Sequence, residues 1–318
     1  MPMTTAFERV DVSTWPVVAT EGVGADEKLW LDDSESRWLF KAVTITGSGH
    51  RQGEDWSEKA ASHLAEHLSV PCATVELALR DGVEGSISRD LGSTSFQVQS
   101  GALYLVDRQV PGFEPARELE HDKSRRKQRP GHSLLNIRTA LQDALPPPGC
   151  ALPAVFSAFD VFVGYLILDA WIGNQDRHDE NWSVLVPAIG DDPVRLCSSY
   201  DQAGGLGFNL LDEKRKRRLA LGGEHGIVAY AERGSAWRFE NTSTQPVRTL
   251  VELAIDGIEM ASADARAYWT EAVSSLEAVD PEPLFARISA MSDPARTFAC
   301  ELLKINGRRL RDECDRRS

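Results

Sequence analysis

The chain has 318 residues, 42% of them hydrophobic and 26% charged, enough for one two-lobed enzyme or two modest domains because single cores stop growing at roughly 250–300 residues. Eight Trp exclude a disordered chain, and a formal net charge of −13 repels phosphate polymers and anionic membranes, so nucleic-acid binding is disfavoured. Cys72, Cys150, Cys197, Cys300 and Cys314 stand singly, with no Cys-x-x-Cys pair and no secretory leader ahead of them, a pattern that predicts reduced thiols in a cytoplasmic, soluble protein.

In chain order, the short β-rich runs 16–20, 28–31 and 37–45 predict three consecutive antiparallel strands. Residues 53–68 place Trp56, Ala60, Leu64 and Leu68 four apart, the spacing of one helical face, and Pro71 helps to stop that helix. Two further strands, 74–80 and 85–91, flank the hairpin signal Asp81-Gly82. Residues 102–108 (ALYLVDR) read as another extended segment, and the basic stretch 122–132 as a surface loop. From residue 133 the pattern is mostly helical: 133–145, 152–172 and several amphipathic stretches between 246 and 313, with the PPPG of 146–149 as a rigid connector. The apolar run 151–173 has the length of a membrane span, but it carries Asp160 and Asp169 and leads into a polar cluster, so it is expected to be a buried helix. A β-rich first third followed by helices predicts an α+β, two-lobed protein with a cleft, the lobes falling at residues 1–108 and 109–318.

The polar cluster is GNQDRHDENWS, residues 173–183. Asp176 and Asn181 stand in it as D-x-x-x-x-N, the spacing of a kinase catalytic loop, in which the Asp faces the acceptor hydroxyl and the Asn holds a metal. The runs 182–186 and 194–200 flank a turn-rich linker and predict a hairpin that returns Asp201 beside Asn181, a second hard oxygen ligand for magnesium. A polar helix cap for Asp176 and Asn181, and a simple turn for Asp201, are the alternatives.

Lys41 lies inside the apolar strand WLFKAV and needs an anionic partner, for which Glu58 on the following helix is the candidate. The alternative puts Lys41 on a solvent-facing edge and Glu58 on a solvated face. Between the first two strands, Gly22 and Gly24 in EGVGADEK sit where a turn would cover a nucleotide, or form an ordinary hairpin loop. The glycine-rich GSGH at 47–50 and GGLG at 204–207 lack the ending of a Walker loop. His178 has no companion His or Cys at ligand spacing, so its expected role is to order the loop or contact a γ-phosphate, and Arg177 is expected to pair with Asp169. The basic runs 122–129 and 213–218 are expected to be solvated loops, or else docks for an acidic or phosphorylated partner.

Around DAWIGNQDRHDENWSVLV and SSYDQAGGLGF the chain resembles the HipA-like serine/threonine kinases, as does the helix GEDWSEKAASHLAEHLSVP. The resemblance implies ATP and Mg2+ as cofactors and a protein hydroxyl as acceptor. It casts Asp176 as catalytic base, Asn181 and Asp201 as magnesium ligands, and Lys41 as the phosphate-contacting lysine. The chain is shorter than the toxins of that family by their extra N-terminal subdomain, the usual dock for an antitoxin partner, so a toxin role and such a partner are left open. The D-R-H-x-x-N core is also similar to phosphoinositide kinases, which keeps lipid or small-molecule acceptors open, and a nucleotide-binding pseudokinase module is the third alternative.

Overall fold

β-Branched and aromatic residues early in the chain pair into one sheet, built from β1 (Val10–Asp11), β2 (Val17–Glu21), β3 (Lys28–Asp32), β4 (Arg37–Ala42), β5 (Val75–Arg80) and β6 (Val83–Arg89). The computed structural model describes residues 5–21, 28–119, 128–241 and 247–317; Gly22, Gly24 and residues 122–127 lie outside them. The strand order is β1-β5-β6-β4-β3-β2, every pair antiparallel except β1 with β5. The three expected consecutive strands are β2, β3 and β4. The Asp81-Gly82 turn sets Arg80 opposite Val83, with φ of 50° and 80° at its two central residues, the left-handed pair that a tight hairpin needs. Between β4 and β5, α1 (Glu54–His67) buries Trp56, Ala60, Ala61, Leu64 and Ala65 and packs on β5 and β6.

β7 (Phe96–Ser100) leads into α2 (Gly101–Asp107). Residues 102–108 are thus helical rather than extended: the Ser100 hydroxyl accepts the Leu103 amide as an N-cap, and burial of Gly101, Ala102, Tyr104 and Leu105 follows the helical period. Two short helices follow, α3 (Ala116–Leu119) and α4 (Leu134–Ala140). The latter stops before residue 145 because Leu145 is drawn into backbone pairing, its amide donating to Val194 and its carbonyl accepting from Leu196.

α5 (Ala158–Ile172) is buried at every position. It begins after Pro153, at Ser157, where Ser157 and Asp160 form a reciprocal capping box. The other Asp160 oxygen accepts the Ser262 amide at 2.8 Å, so this carboxylate is satisfied inside an apolar helix. Among the described residues no helix is long and apolar enough to cross a membrane.

β8 (Ser183–Pro187) and β9 (Arg195–Leu196) form the expected hairpin, and β7 adds to the free edge of β8. Residues 213–218 are not a loop but the middle of α6 (Asp212–Ala220), and Arg215 within them is buried, donating to Asp212 at 2.7 Å and to the Gly207 carbonyl at 2.9 Å. α7 (Ile227–Glu232), α8 (Leu250–Met260), α9 (Ala263–Ser275), α10 (Glu282–Phe285) and α11 (Asp293–Arg317) complete the helical part. α8, α9 and α11 wrap α5, and the main core runs through them to α1. A smaller cluster of Val12, Leu31, Phe40, Ala78 and Ile87 fills the sheet.

Candidate active site

α5 ends at Gly173, whose φ of 74° is the left-handed cap that glycine adopts without strain, and the chain turns there into residues 174–182. Asn174 then holds the turn: its side-chain amide donates to Asp169 Oδ1 at 2.8 Å and its Oδ1 accepts the Asp176 amide at 3.2 Å. Asn181 closes the other side, its Nδ2 donating to the Asp176 carbonyl at 2.7 Å.

Beneath this loop Arg177 pairs with Asp169 through two parallel bonds of 2.7 and 2.9 Å, both side chains being buried. Burial raises the Asp169 carboxyl, and Arg177 and Asn174 oppose that rise. The same guanidinium donates to the Asn181 carbonyl at 2.6 Å, the Tyr200 carbonyl at 3.3 Å and Ser199 Oγ at 3.0 Å. Asn181 and the backbone that presents Asp201 are therefore joined through Arg177. His178 Nδ1 accepts the Glu180 amide at 3.2 Å and lies 3.8 Å from Asp179, so its contacts order the loop. Burial would raise the Asp179 carboxyl, but His178 beside it and the Ala116 amide, donating to it at 2.9 Å, bring it down to about 2.

From the sheet side, Lys41 on β4 reaches Asp201 at 2.9 Å and Glu58 at 3.5 Å. Neither a solvent edge for Lys41 nor a solvated face for Glu58 describes these side chains, which are 16% and 1% exposed. Glu58 also accepts hydrogen bonds from Ser86 at 3.2 Å and Ser88 at 3.3 Å, residues of β6 that sequence reasoning did not identify. Burial opposes the charge on Lys41, yet Asp201 and Glu58 raise its affinity for the proton. Burial likewise pushes Asp201 up, and the charges of Lys41 and Lys28 more than offset it, holding this carboxyl well below the usual range.

Asp201 adopts φ of 57°, a left-handed conformation uncommon outside glycine. The segment after it is tied to α1, where Ser57 Oγ donates to the Gly205 carbonyl at 3.0 Å and the Gly53 amide to the Phe208 carbonyl at 3.1 Å. A second residue absent from the sequence reading is Arg238, whose Nε donates to Asp176 Oδ1 at 2.8 Å and whose Nη2 lies 2.5 Å from the same oxygen in an ion pair. It lies in the loop between α7 and α8, with no local motif to mark it.

No family model matches the sequence, and no curated protein matches it. Solved structures do resemble the fold. The proinflammatory kinase CtkA of Helicobacter pylori is similar over 98% of this chain and 100% of its own, at 13% identity and a TM-score of 0.68. HipA of Shewanella oneidensis, solved with HipB and operator DNA, is similar over 99% of this chain and 72% of its own, at 11% identity and a TM-score of 0.52. The chain has the two-lobed, α+β, protein-kinase-like fold of the HipA-like type.

Proposed function

We propose that the chain is an ATP- and magnesium-dependent phosphotransferase, a HipA-like kinase acting on serine or threonine hydroxyls of a protein. The observation that carries this reading is the Lys41 ammonium, which bridges Glu58 and Asp201 across the two lobes while Asp176 and Asn181 share one ordered loop. Phosphoryl transfer asks for these parts: a cation on the phosphates, hard oxygen ligands for a metal, and a base at the acceptor.

Asp201 and the Asn181 side-chain oxygen fit magnesium by type. Among the described residues no group of three or more His, Cys, Asp or Glu could hold a metal, so most of its ligands would come from phosphates and water, as magnesium prefers. Bound there, magnesium supplies neutralisation of phosphate charge. Lys41 then contacts the phosphates, Glu58 orients Lys41, and Asp176 takes the acceptor proton. His178 supports the loop. The reading places the protein in the cytoplasm.

Incubation of the purified protein with labelled ATP and magnesium, with casein as acceptor and Asp176→Asn as control, tests the assignment. ATP with magnesium should also raise the melting temperature, since a ligand at a hundredfold excess over its Kd adds about 2.7 kcal/mol to the native state. No label transfer and no shift at millimolar nucleotide would refute it.

A further inference from the structure

Arg238 is held in place by more than its bond to Asp176. Its carbonyl accepts His132 Nδ1 at 2.8 Å, and the other nitrogen of that ring accepts Trp182 Nε1 at 3.2 Å. A carbonyl only accepts and an indole N–H only donates, so His132 must be the neutral tautomer with its proton on Nδ1. The ring is buried and stacks on Phe239 at 4.6 Å between centroids. The Arg238 guanidinium lies on the face of Trp237, 3.9 Å from the ring centroid. On the other side of Asp176, Gln175 Oε1 accepts the Ser235 amide at 3.0 Å and its hydroxyl at 3.3 Å. The segment 235–239 thus meets the catalytic loop directly at Gln175 and, through His132, at Trp182, with Asp176 between.

Both Arg238 nitrogens converge on Oδ1 of Asp176. Among the described residues, no donor is hydrogen-bonded to Oδ2. We propose that Arg238 is a positioning residue for the base: it fixes the Asp176 rotamer through Oδ1 and leaves Oδ2 to the acceptor hydroxyl. In the step it serves, Oδ2 takes the hydroxyl proton as the acceptor oxygen bonds to the γ-phosphorus. The bond from that phosphorus to the bridging oxygen breaks, and ADP departs with the electron pair. The pair itself is a weak contributor to stability, because Asp176 is 45% exposed and Arg238 20% exposed. Its value is geometric, since displacement of a reacting group by about 1 Å can cost a hundredfold in rate. The proposal rests on Asp176 being the base of a kinase.

The test compares wild type, Arg238→Gln, Arg238→Lys, Asp176→Asn and the double variant Arg238→Gln/Asp176→Asn, with casein as acceptor. Arg238→Gln should lower kcat by roughly 10- to 100-fold, with KM for ATP, KM for casein and melting temperature unchanged. Arg238→Lys should recover part of the rate, and the double variant should be no slower than Asp176→Asn alone, because one residue acts through the other. An unchanged or raised kcat in Arg238→Gln overturns the proposal, as does a loss confined to KM for casein or a fully additive double variant. A wild type that transfers no phosphate overturns the kinase reading itself, and this proposal with it.

Discussion

Lys41→Met removes the cation that joins the lobes, and the structure sets the size of the effect. Glu58 is 1% exposed and Asp201 25% exposed, so the substitution strands two carboxylates that are largely out of water. Stripping one partner from a buried ion pair costs about 3–5 kcal/mol. Ser86 and Ser88 continue to donate to Glu58, and water reaches Asp201, which places the expected loss near the low end, about 3 kcal/mol or about 6 °C in Tm. Replacing Glu58 by Gln in the same chain should restore about 1 kcal/mol by removing a stranded charge. Asp201 has a depressed folded pKa, so its contribution is present above its unfolded value of about 3.9 and is lost as pH falls through the folded one. Lys41 has a raised folded pKa, so its contribution is present below about 10.4 and is lost as pH rises through the folded one. The difference between wild type and Lys41→Met should therefore be flat from about pH 5 to pH 9 and narrow outside that range. Urea unfolding without nucleotide across this range measures it. A difference below about 0.5 kcal/mol at pH 7 would refute the reasoning, because a surface pair is worth no more.

Asp176→Asn should slow transfer by about 10²- to 10⁴-fold and leave magnesium-dependent ATP affinity nearly intact, whereas Asp201→Asn should weaken both; titration calorimetry with magnesium and then EDTA separates them, and equal affinity losses would reassign the metal ligand. Arg177→Met should cost about 3–5 kcal/mol in urea unfolding by leaving Asp169 buried and unpaired, and Asp169→Leu in the same chain should recover much of it. Gly204→Ala brings a methyl 2.7 Å from Asn174 Oδ1, forcing Asn174 off the Asp176 amide, so transfer should fall more than tenfold alongside about 2 kcal/mol of stability. Gly173→Ala meets nothing nearer than 3.6 Å and should cost only the left-handed conformation, about 1 kcal/mol, with kcat retained.

What could be read before any coordinates was what is local. Asp81-Gly82 fixes its own backbone, the four-residue spacing of α1 marks its buried face, and D-x-x-x-x-N spans one loop. Lys41 announced itself as a charge among apolar neighbours, and its pairing with Glu58 follows from the burial of both. ALYLVDR was misread because β-branched and aromatic composition outweighed its burial period, which is helical, and because Ser100 lies just outside it. Arg215 is indistinguishable in sequence from the charges around it, since the distant carbonyls of Gly207 and Phe208 and the ring of Trp56 single it out. Arg238 meets Asp176 across 62 residues, and His132 meets Trp182 across 50; such contacts exist only after α5 and the loop before α8 are packed.

Arg177 has a mechanical consequence. One buried guanidinium holds the end of α5, the carbonyl of Asn181, the carbonyl of Tyr200 and the hydroxyl of Ser199. Asp176, Asn181 and Asp201 are thereby carried on a single frame. Under the proposed function this frame keeps the base and the metal ligands at one spacing, and the sheet side is joined to it by Lys41 and by the α1 contacts to the Gly205 and Phe208 carbonyls.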